Sequence, residues 1–175
     1  ATNTDFELEE LEKLTYFYPC LIKFDGNLDF FKYCKNLREV NFGCINLKDI
    51  SNLEYLKKLT HLNLNSSNIN SIDSLATLEN LEEINLGGCN PVSLKPLLQH
   101  KKIRKIVLDD VENEEDIFEI ISNQEAYSIE YLVSNSSALQ GITFPKYWVF
   151  IYFNKDKLNI SMTSIVTDKL SRFCE

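Results

Sequence analysis

Four copies of one short sequence lie between residues 37 and 108: LREVNF (37–42), LTHLNL (59–64), LEEINL (81–86) and IRKIVL (103–108). The copies begin at positions 37, 59, 81 and 103, so the step from one to the next is constant. Counted from the first residue of each copy, apolar residues occupy positions one, four and six. Alternation over the last three positions is typical of a short strand with one buried face. Because one unit cannot bury its own apolar edge, the repeat predicts stacked units that share a core.

A second set of apolar residues follows each copy at a spacing of three. The residues of this set in the first three repeats are Leu47, Ile50, Leu53 and Leu56, then Ile69, Ile72, Leu75 and Leu78, then Leu94 and Leu97, with Pro91 where the others carry Leu47 or Ile69. Spacing of three favours a tight helical or 3₁₀ return over a second strand.

This pattern resembles the leucine-rich repeat family in its 22-residue form, which occurs in internalin-like proteins and phosphatase regulatory subunits. The resemblance rests on LREVNFGCINLKDISNLEYL, LTHLNLNSSNINSIDSLATL and LEEINLGGCNPVSLKPLL, and more weakly on IRKIVLDDVENEEDIFEII. It implies an α/β fold: a short right-handed solenoid with parallel strands on its concave face, closed by caps. It does not specify a function, because one fold serves many functions.

One position departs from the family pattern, which places an inward-facing Asn ninth in the repeat. That position holds Ile45, Ser67 and Cys89, whereas Asn46, Asn68 and Asn90 come one residue later. Ser and Cys are small enough to substitute inside the coil. The tenth-position Asn column is expected either to face solvent or to adopt the left-handed conformation that Asn tolerates in turns.

The chain divides into three predicted segments: an N-terminal cap with a degenerate repeat (1–36), the leucine-rich repeats (37–123) and a C-terminal capping region (124–175). In the first segment, Phe6, Leu8, Leu11 and Leu14 predict a short amphipathic helix or strand over the first repeat. One repeat before Val40 and Phe42 stand Tyr18 and Cys20, which predicts a strand near 18–23. Leu28, Phe31 and Cys34 stand one repeat before apolar residues of the next helical return. They are therefore predicted to lie in the return of the degenerate repeat.

Beyond the clear repeats, apolar Ile117, Phe118, Ile120 and Ile121 predict a helix over 113–123. The acidic run 109–116 opens this helix, where negative charge suits the helix dipole, or offers a surface for a basic partner. It also faces the basic stretch 99–105 across neighbouring turns. Residues 128–133 predict a last solenoid strand, 147–162 a β-hairpin and 164–173 a closing helix.

The concave face is the predicted binding surface, formed by positions two, three, five and seven of the repeats. We predict that the following residues contact a partner: Arg38, Glu39, Asn41, His61, Asn63, Asn65, Glu82, Glu83, Asn85, Lys105 and Asp109. Asn amides both donate and accept hydrogen bonds, which suits a polar partner surface. Gly43 and Gly87 are expected to lower the surface and admit a partner side chain. His61, between Glu39 and Glu83, is expected to form a surface ion pair rather than to serve catalysis or metal binding.

The composition of the chain indicates which classes of partner it can bind. The 175 residues are 44% hydrophobic, with a formal net charge of −8 and a pI near 4.9. This charge disfavours nucleic acid and anionic membranes and favours a basic protein, if the partner is charged. No apolar run has the length of a membrane helix, and no basic-then-apolar leader is present. The chain begins with Ala, for which a removed signal, a tag remnant and removal of Met are the alternatives. We expect a cytoplasmic monomer.

The five cysteines, Cys20, Cys34, Cys44, Cys89 and Cys174, are odd in number and lack C-x-x-C spacing. Buried, reduced thiols are the expected state, with Cys44 and Cys89 at small buried positions; disulfides or a metal site are the alternatives. The chain carries no Gly-rich phosphate loop, H-E-x-x-H or G-x-S-x-G. We therefore predict no catalytic residues, no cofactor and no metal.

Three functional hypotheses remain open. The first is a non-catalytic module that binds a protein through the concave face, for example an acidic inhibitor or immunity-type protein of a basic partner. The second is a lasting adaptor or regulatory subunit of an enzyme such as a phosphatase. The third is an enzyme with its site in residues 124–175.

Overall fold

A computed structural model describes residues 7–19, 24–111, 113–122, 131–133, 149–154 and 157–162. Among these residues, strands β1 to β8 form one sheet in chain order. Their bounds are Tyr16–Phe17, Glu39–Asn41, His61–Asn63, Glu83–Asn85, Lys105–Val107, Tyr131–Val133, Val149–Asn154 and Lys157–Met162. Neighbouring strands are parallel from β1 to β7, and β8 is antiparallel to β7. The predicted α/β solenoid is confirmed.

The returns between the strands are short helices, as the spacing of three predicts. Four of the described returns are 3₁₀ helices: Asp29–Tyr33, Ser51–Tyr55, Asp73–Thr77 and Lys95–Gln99. Three residues per turn bring every third side chain to the same side, and Phe31, Leu53, Leu75 and Leu97 accordingly point into the core. The return after β5 is the α-helix α2, Glu114–Ser122, close to the predicted span.

Equal spacing gives the strands a common register. Val40, Leu62, Ile84 and Ile106 pair in one buried row, and the residues on either side of them face away from the core. The core is a continuous column of Leu, Ile and Val, with Phe31 and Phe42 completely buried at its N-terminal end. One apolar spine therefore runs through all the coils from the first return to α2.

The ninth repeat position confirms the predicted substitution of the inward Asn. The buried Ser67 hydroxyl donates to the Phe42 carbonyl at 3.1 Å, and the buried Cys89 thiol donates to the Leu64 carbonyl at 2.8 Å. Each bond joins one coil to the preceding coil and satisfies a buried backbone oxygen. Asn46 and Asn68 are exposed.

The left-handed residue of the turn is the eighth, not the tenth. Positive φ angles occur at Cys44 (61°), Ser66 (55°), Gly88 (68°) and Asp110 (57°). Of the two roles expected for the tenth-position Asn column, exposure to solvent is confirmed and the left-handed turn conformation is wrong. Burial of Cys44 is also wrong, because its turn position exposes the thiol, whereas Cys34 and Cys89 are buried free cysteines. Cys20 and Cys174 lie outside the described residues.

The first repeat is one residue longer than the others. Tyr16 pairs with Glu39 and Phe17 with Val40, whereas the regular step would bring Phe17 to Glu39 and Tyr18 to Val40. The equivalence of Tyr18 with Val40 is therefore wrong, and the strand lies at Tyr16–Phe17 rather than beginning near residue 18. Residues 20–23 of the predicted strand lie outside the described residues. The extra residue lies before Leu28, because the 3₁₀ helix Asp29–Tyr33 keeps the regular step to Ser51–Tyr55.

Aromatic packing explains this shift in register. The Phe17 ring meets the rings of Phe24, Phe30, Phe31 and Phe42 with centroid separations of 5.3–5.8 Å. A phenylalanine cluster of this size stabilises the end of the core more than the tyrosine of the neighbouring register, whose hydroxyl would need a buried partner. Leu28, Phe31 and Cys34 are buried as predicted.

The N-terminal cap contains the helix α1, Leu8–Lys13. Leu11 and Leu14 pack partly against the core, but Leu8 is 57% exposed, so its predicted place on the first repeat is wrong. Asn36 holds the helix by donating its amide to the Glu12 carbonyl at 2.7 Å. Phe6 lies outside the described residues.

In the C-terminal segment a strand forms within the predicted range 128–133, as β6, but it is not the last parallel strand, because β7 pairs with it in parallel. The predicted hairpin is confirmed: its strands β7 and β8 are antiparallel and close at the pair Asn154 and Lys157. The predicted closing helix at 164–173 lies outside the described residues. The division into three segments stays a prediction.

His100 replaces an apolar residue of the core and makes stability depend on pH. It is 3% exposed in the column that Leu56 and Leu78 occupy in earlier repeats, and its Nε2 has no hydrogen-bond partner. Burial lowers the pKa of His100 below its ordinary value of 6.5. The unfolded chain therefore takes up this proton first as pH falls, so this contribution to stability is present at neutral pH and is lost below about pH 6.5.

We expect His100→Leu to flatten the fall in unfolding free energy between about pH 7 and pH 5, because the buried imidazole no longer needs to stay neutral. Urea unfolding across this pH range measures the effect. His61→Gln, which removes the exposed histidine, is the matched control. A pH profile unchanged by His100→Leu would contradict the expectation.

Candidate functional site

The third repeat position forms a row of polar side chains across the concave face. Glu39, His61, Glu83 and Lys105 are paired neighbours on β2 to β5. A groove of about 260 Å³ runs along this row and continues over position five. Of the predicted contact residues, it is lined by Glu39, Asn41, His61, Asn63, Glu83, Asn85 and Lys105.

Glu83 is the electrostatic centre of the groove. Its Oε1 lies 3.5 Å from His61 Nε2, and its Oε2 lies 3.7 Å from Lys105 Nζ. The His61 imidazole thus lies within ion-pairing distance of the Glu83 carboxylate. One carboxylate between two bases orders three side chains, although exposed pairs contribute only about 0–1 kcal/mol each to stability.

Three neighbouring side chains follow the order hydroxyl, imidazole and carboxylate, which is the order of a catalytic triad. They belong to Thr60, His61 and Glu83. Thr60 Oγ1 is 2.8 Å from His61 Nδ1 and 3.0 Å from the Arg38 carbonyl. The hydroxyl has a single proton, and when it donates that proton to the carbonyl it accepts a hydrogen from Nδ1. A base that activates a nucleophile needs the opposite polarity. This contact orients the imidazole ring.

The fifth-position Asn column stabilises the ends of the strands. Asn41, Asn63 and Asn85 each accept a hydrogen bond at 2.9 Å through Oδ1, from the backbone N–H two residues later. Within the described chain their amide nitrogens make no further hydrogen bond. One end of each amide is therefore structural, and the NH₂ end is left for a partner.

The low points expected at Gly43 and Gly87 are filled by Asn side chains of the fifth and seventh positions. A Cβ at Gly87 would lie 2.9 Å from Asn65 Nδ2, and a Cβ at Gly43 would lie 3.1 Å from Asn41 Oδ1. The expectation that the two glycines admit a partner side chain is wrong, because neighbouring Asn side chains already occupy the space.

The four remaining predicted residues lie outside the groove. Arg38 is exposed and Glu82 binds Arg104 at 2.7 Å, both where the strands begin. Asn65 donates its amide to the Gly87 carbonyl at 2.9 Å. Asp109 is half-buried at the opposite end; its Oδ1 has no partner, and burial raises its pKa.

Tyr18 is a groove residue that the repeat pattern missed. It lines the groove at its N-terminal end, and its hydroxyl donates to Glu39 Oε2 at 2.7 Å. This hydrogen bond raises the pKa of Tyr18. The longer first repeat places Tyr16 and Tyr18 in the columns of Glu39 and Asn41, so the alternation Tyr-Phe-Tyr at 16–18 was the available signal.

Many acidic side chains of the described residues lie away from the groove. Acidic side chains of α1 and of the returns include Glu9, Glu10, Glu12, Asp29, Glu54 and Asp73. Basic side chains precede the strands: Lys35, Lys57, Lys58, Lys101, Lys102 and Arg104. Between the basic stretch 99–105 and the acidic run 109–116 there is no ion pair among the described residues; Arg104 and Lys105 pair with Glu82 and Glu83 instead.

Within the described ranges, no cluster of three or more His, Cys, Asp or Glu residues is arranged to hold a metal ion. None of the helices in those ranges combines the length and apolar character that a bilayer crossing needs.

Comparison with known proteins supports the architecture. No protein-family model matches the chain, and no curated protein is significantly similar in sequence. Two similar solved structures are internalins of Listeria monocytogenes. InlF is 20% identical with a TM-score of 0.58, over 85% of this chain and 49% of that one. InlC2 is 18% identical with a TM-score of 0.55, over 74% of this chain and 57% of that one.

The chain thus spans about half the length of these internalins. At such low identity the similarity is informative about the fold alone. Together with the in-register parallel strands and helical returns, it shows that this chain has the leucine-rich repeat fold.

Proposed function

We propose that this chain is a non-catalytic module that binds another protein through its concave face. The observation that carries the proposal is the groove across β2 to β5, in which the strand register aligns a row of polar side chains. Within this row the Glu83 carboxylate lies 3.5 Å from His61 Nε2 and 3.7 Å from Lys105 Nζ. Ordered polar side chains lose little entropy when a partner binds, which favours specific recognition.

We propose that the partner is a basic protein. This chain would act as the inhibitor or immunity-type protein of that partner. Two features support this. The net charge of −8 raises the rate of encounter with a basic protein, and Glu39 offers the groove a carboxylate without an ion pair among the described residues. The cytoplasmic location stays a prediction.

The test is affinity capture with wild-type protein and two variants of equal mutational load. The face variant carries Glu39→Lys, His61→Ala and Lys105→Glu. Asn63 is left intact because its side chain holds the Asn65 backbone. The control variant carries Lys48→Glu, Glu54→Lys and Tyr55→Ala at exposed positions outside the groove, so both variants keep the net charge of −8. Thermal melting confirms that all three proteins fold.

We expect the face variant to lose at least about tenfold in captured partner, which corresponds to about 1.4 kcal/mol, while the control retains it. The concave face would be refuted as the binding surface if only the control variant lost the captured partner. It would also be refuted if both variants retained the partner. A partner recovered in stoichiometric amounts from native cells would favour the adaptor hypothesis over a transient inhibitor.

A further inference from the structure

Two exposed tyrosines form an aromatic platform at the N-terminal end of the groove. The Tyr16 and Tyr18 rings stack with centroids 5.7 Å apart and planes 28° from parallel. Tyr16 is 62% exposed and Tyr18 is 46% exposed, which are high values for aromatic rings. Tyrosine is enriched among the residues that dominate binding energy in protein interfaces, because it presents a large, stiff surface.

Glu39 stands beside this platform in a fixed orientation. Its Oε2 accepts the Tyr18 hydroxyl at 2.7 Å, so the ring and the carboxylate are held together. The other groove carboxylate, Glu83, already faces two bases, and Glu82 at the groove margin faces Arg104. Of the two carboxylates that line the groove, Glu39 is therefore the one without an ion pair among the described residues.

We propose that Tyr16, Tyr18 and Glu39 form a subsite for an arginine side chain of the protein partner, an inference that rests on the proposed function. A guanidinium is planar and always charged, stacks on tyrosine faces and donates hydrogen bonds to a carboxylate. Glu39 Oε1 is left to accept such a bond, since the Tyr18 hydroxyl occupies Oε2. Lysine lacks the flat face that stacks on the rings, so arginine is the better fit.

The charge pattern along the groove favours one orientation of the partner. The cation belongs at the β1 and β2 end, over Glu39, because Lys105 at the β5 end repels it. Exposed ion pairs and exposed cation–π contacts are each weak, so the subsite contributes specificity and a modest share of affinity.

The test uses short peptides, so it needs no identified partner. Acetyl-Gly-Arg-Gly-amide, its lysine analogue and its citrulline analogue are titrated into ¹⁵N-labelled protein. Citrulline keeps the shape of arginine but has no charge. We expect the arginine peptide to shift the amide signals of Tyr16, Tyr18 and Glu39 in a saturable way. The lysine peptide should bind more weakly, and the citrulline peptide should leave these signals in place.

Variants make the assignment residue by residue. Glu39→Gln and Tyr16→Ala should each weaken the arginine peptide about threefold, and the double variant about tenfold. Glu54→Gln is the matched control, because Glu54 is an exposed carboxylate next to the exposed Tyr55 on a return. It should bind the peptide like wild type.

Equal shifts from the arginine and citrulline peptides, or an equal effect of Glu54→Gln, would overturn the subsite. That result would leave the proposed function standing if the face variant still loses its captured partner. If instead the peptide binds as expected while the face variant retains its partner, the three residues bind a guanidinium, but the concave-face proposal fails and with it the assignment of this subsite to the partner.

Discussion

Phe42→Ala is expected to lower the free energy of unfolding by about 3–5 kcal/mol. Phe42 is completely buried at the end of β2, and its ring meets those of Phe17, Phe24 and Phe31 with centroids 5.8–6.0 Å apart. Its removal leaves a cavity that stiff aromatic neighbours cannot fill. The first coil depends on this cluster for its contact with the second.

Urea denaturation measures this effect, with Tyr18→Ala as the matched control. Tyr18 would be the buried residue if the first repeat had the regular step of the others, but it is 46% exposed. We expect its truncation to cost about 1 kcal/mol or less. A large cost at Tyr18 with a small cost at Phe42 would contradict the shifted register of β1.

Asp116→Ala is expected to cost about 3 kcal/mol of stability. This carboxylate is 6% exposed, and its Oδ2 accepts hydrogen bonds from the Leu94 backbone at 2.6 Å and the Ser93 hydroxyl at 2.8 Å. Asn113 adds a third donor at 3.2 Å. Hydrogen bonds to a charged group contribute about 1.5–3 kcal/mol each, and the change leaves the buried donors of the preceding coil unsatisfied.

Glu115→Ala separates this role from a general effect of charge. Glu115 is the exposed neighbour on the same turn of α2, and its removal should change the unfolding free energy by less than about 0.5 kcal/mol. Thermal or urea unfolding of the two variants provides the comparison. Equal effects would mean that Asp116 acts as one more surface charge, as its place in an acidic run suggested.

The repeat period determined most of the fold in advance. The constant step between copies sets the strand register, and a spacing of three sets the returns, because both are periodic demands of burial. The strand register of the first repeat was predicted wrongly because a single inserted residue breaks the period. Only the packing of Phe17 into the aromatic cluster, a contact distant in sequence, reveals the correct register.

The site was harder to predict than the fold because it depends on side-chain contacts. Alternation places Glu39, His61, Glu83 and Lys105 in a row, and the structure agrees. No period shows that the neighbouring Asn amides fill the space above Gly43 and Gly87. The place of Tyr16 and Tyr18 beside the groove was not predicted, because the inserted residue that displaces β1 also changes the columns to which they belong.

Photo-crosslinking tests the central claim most directly. Benzoylphenylalanine is placed at His61 in the groove, or at Glu54 on a return, and the captured partner is irradiated in complex with each protein. A partner seated on the concave face crosslinks through position 61 and not through position 54. Crosslinking through position 54 alone would contradict the account and move the binding surface to the returns.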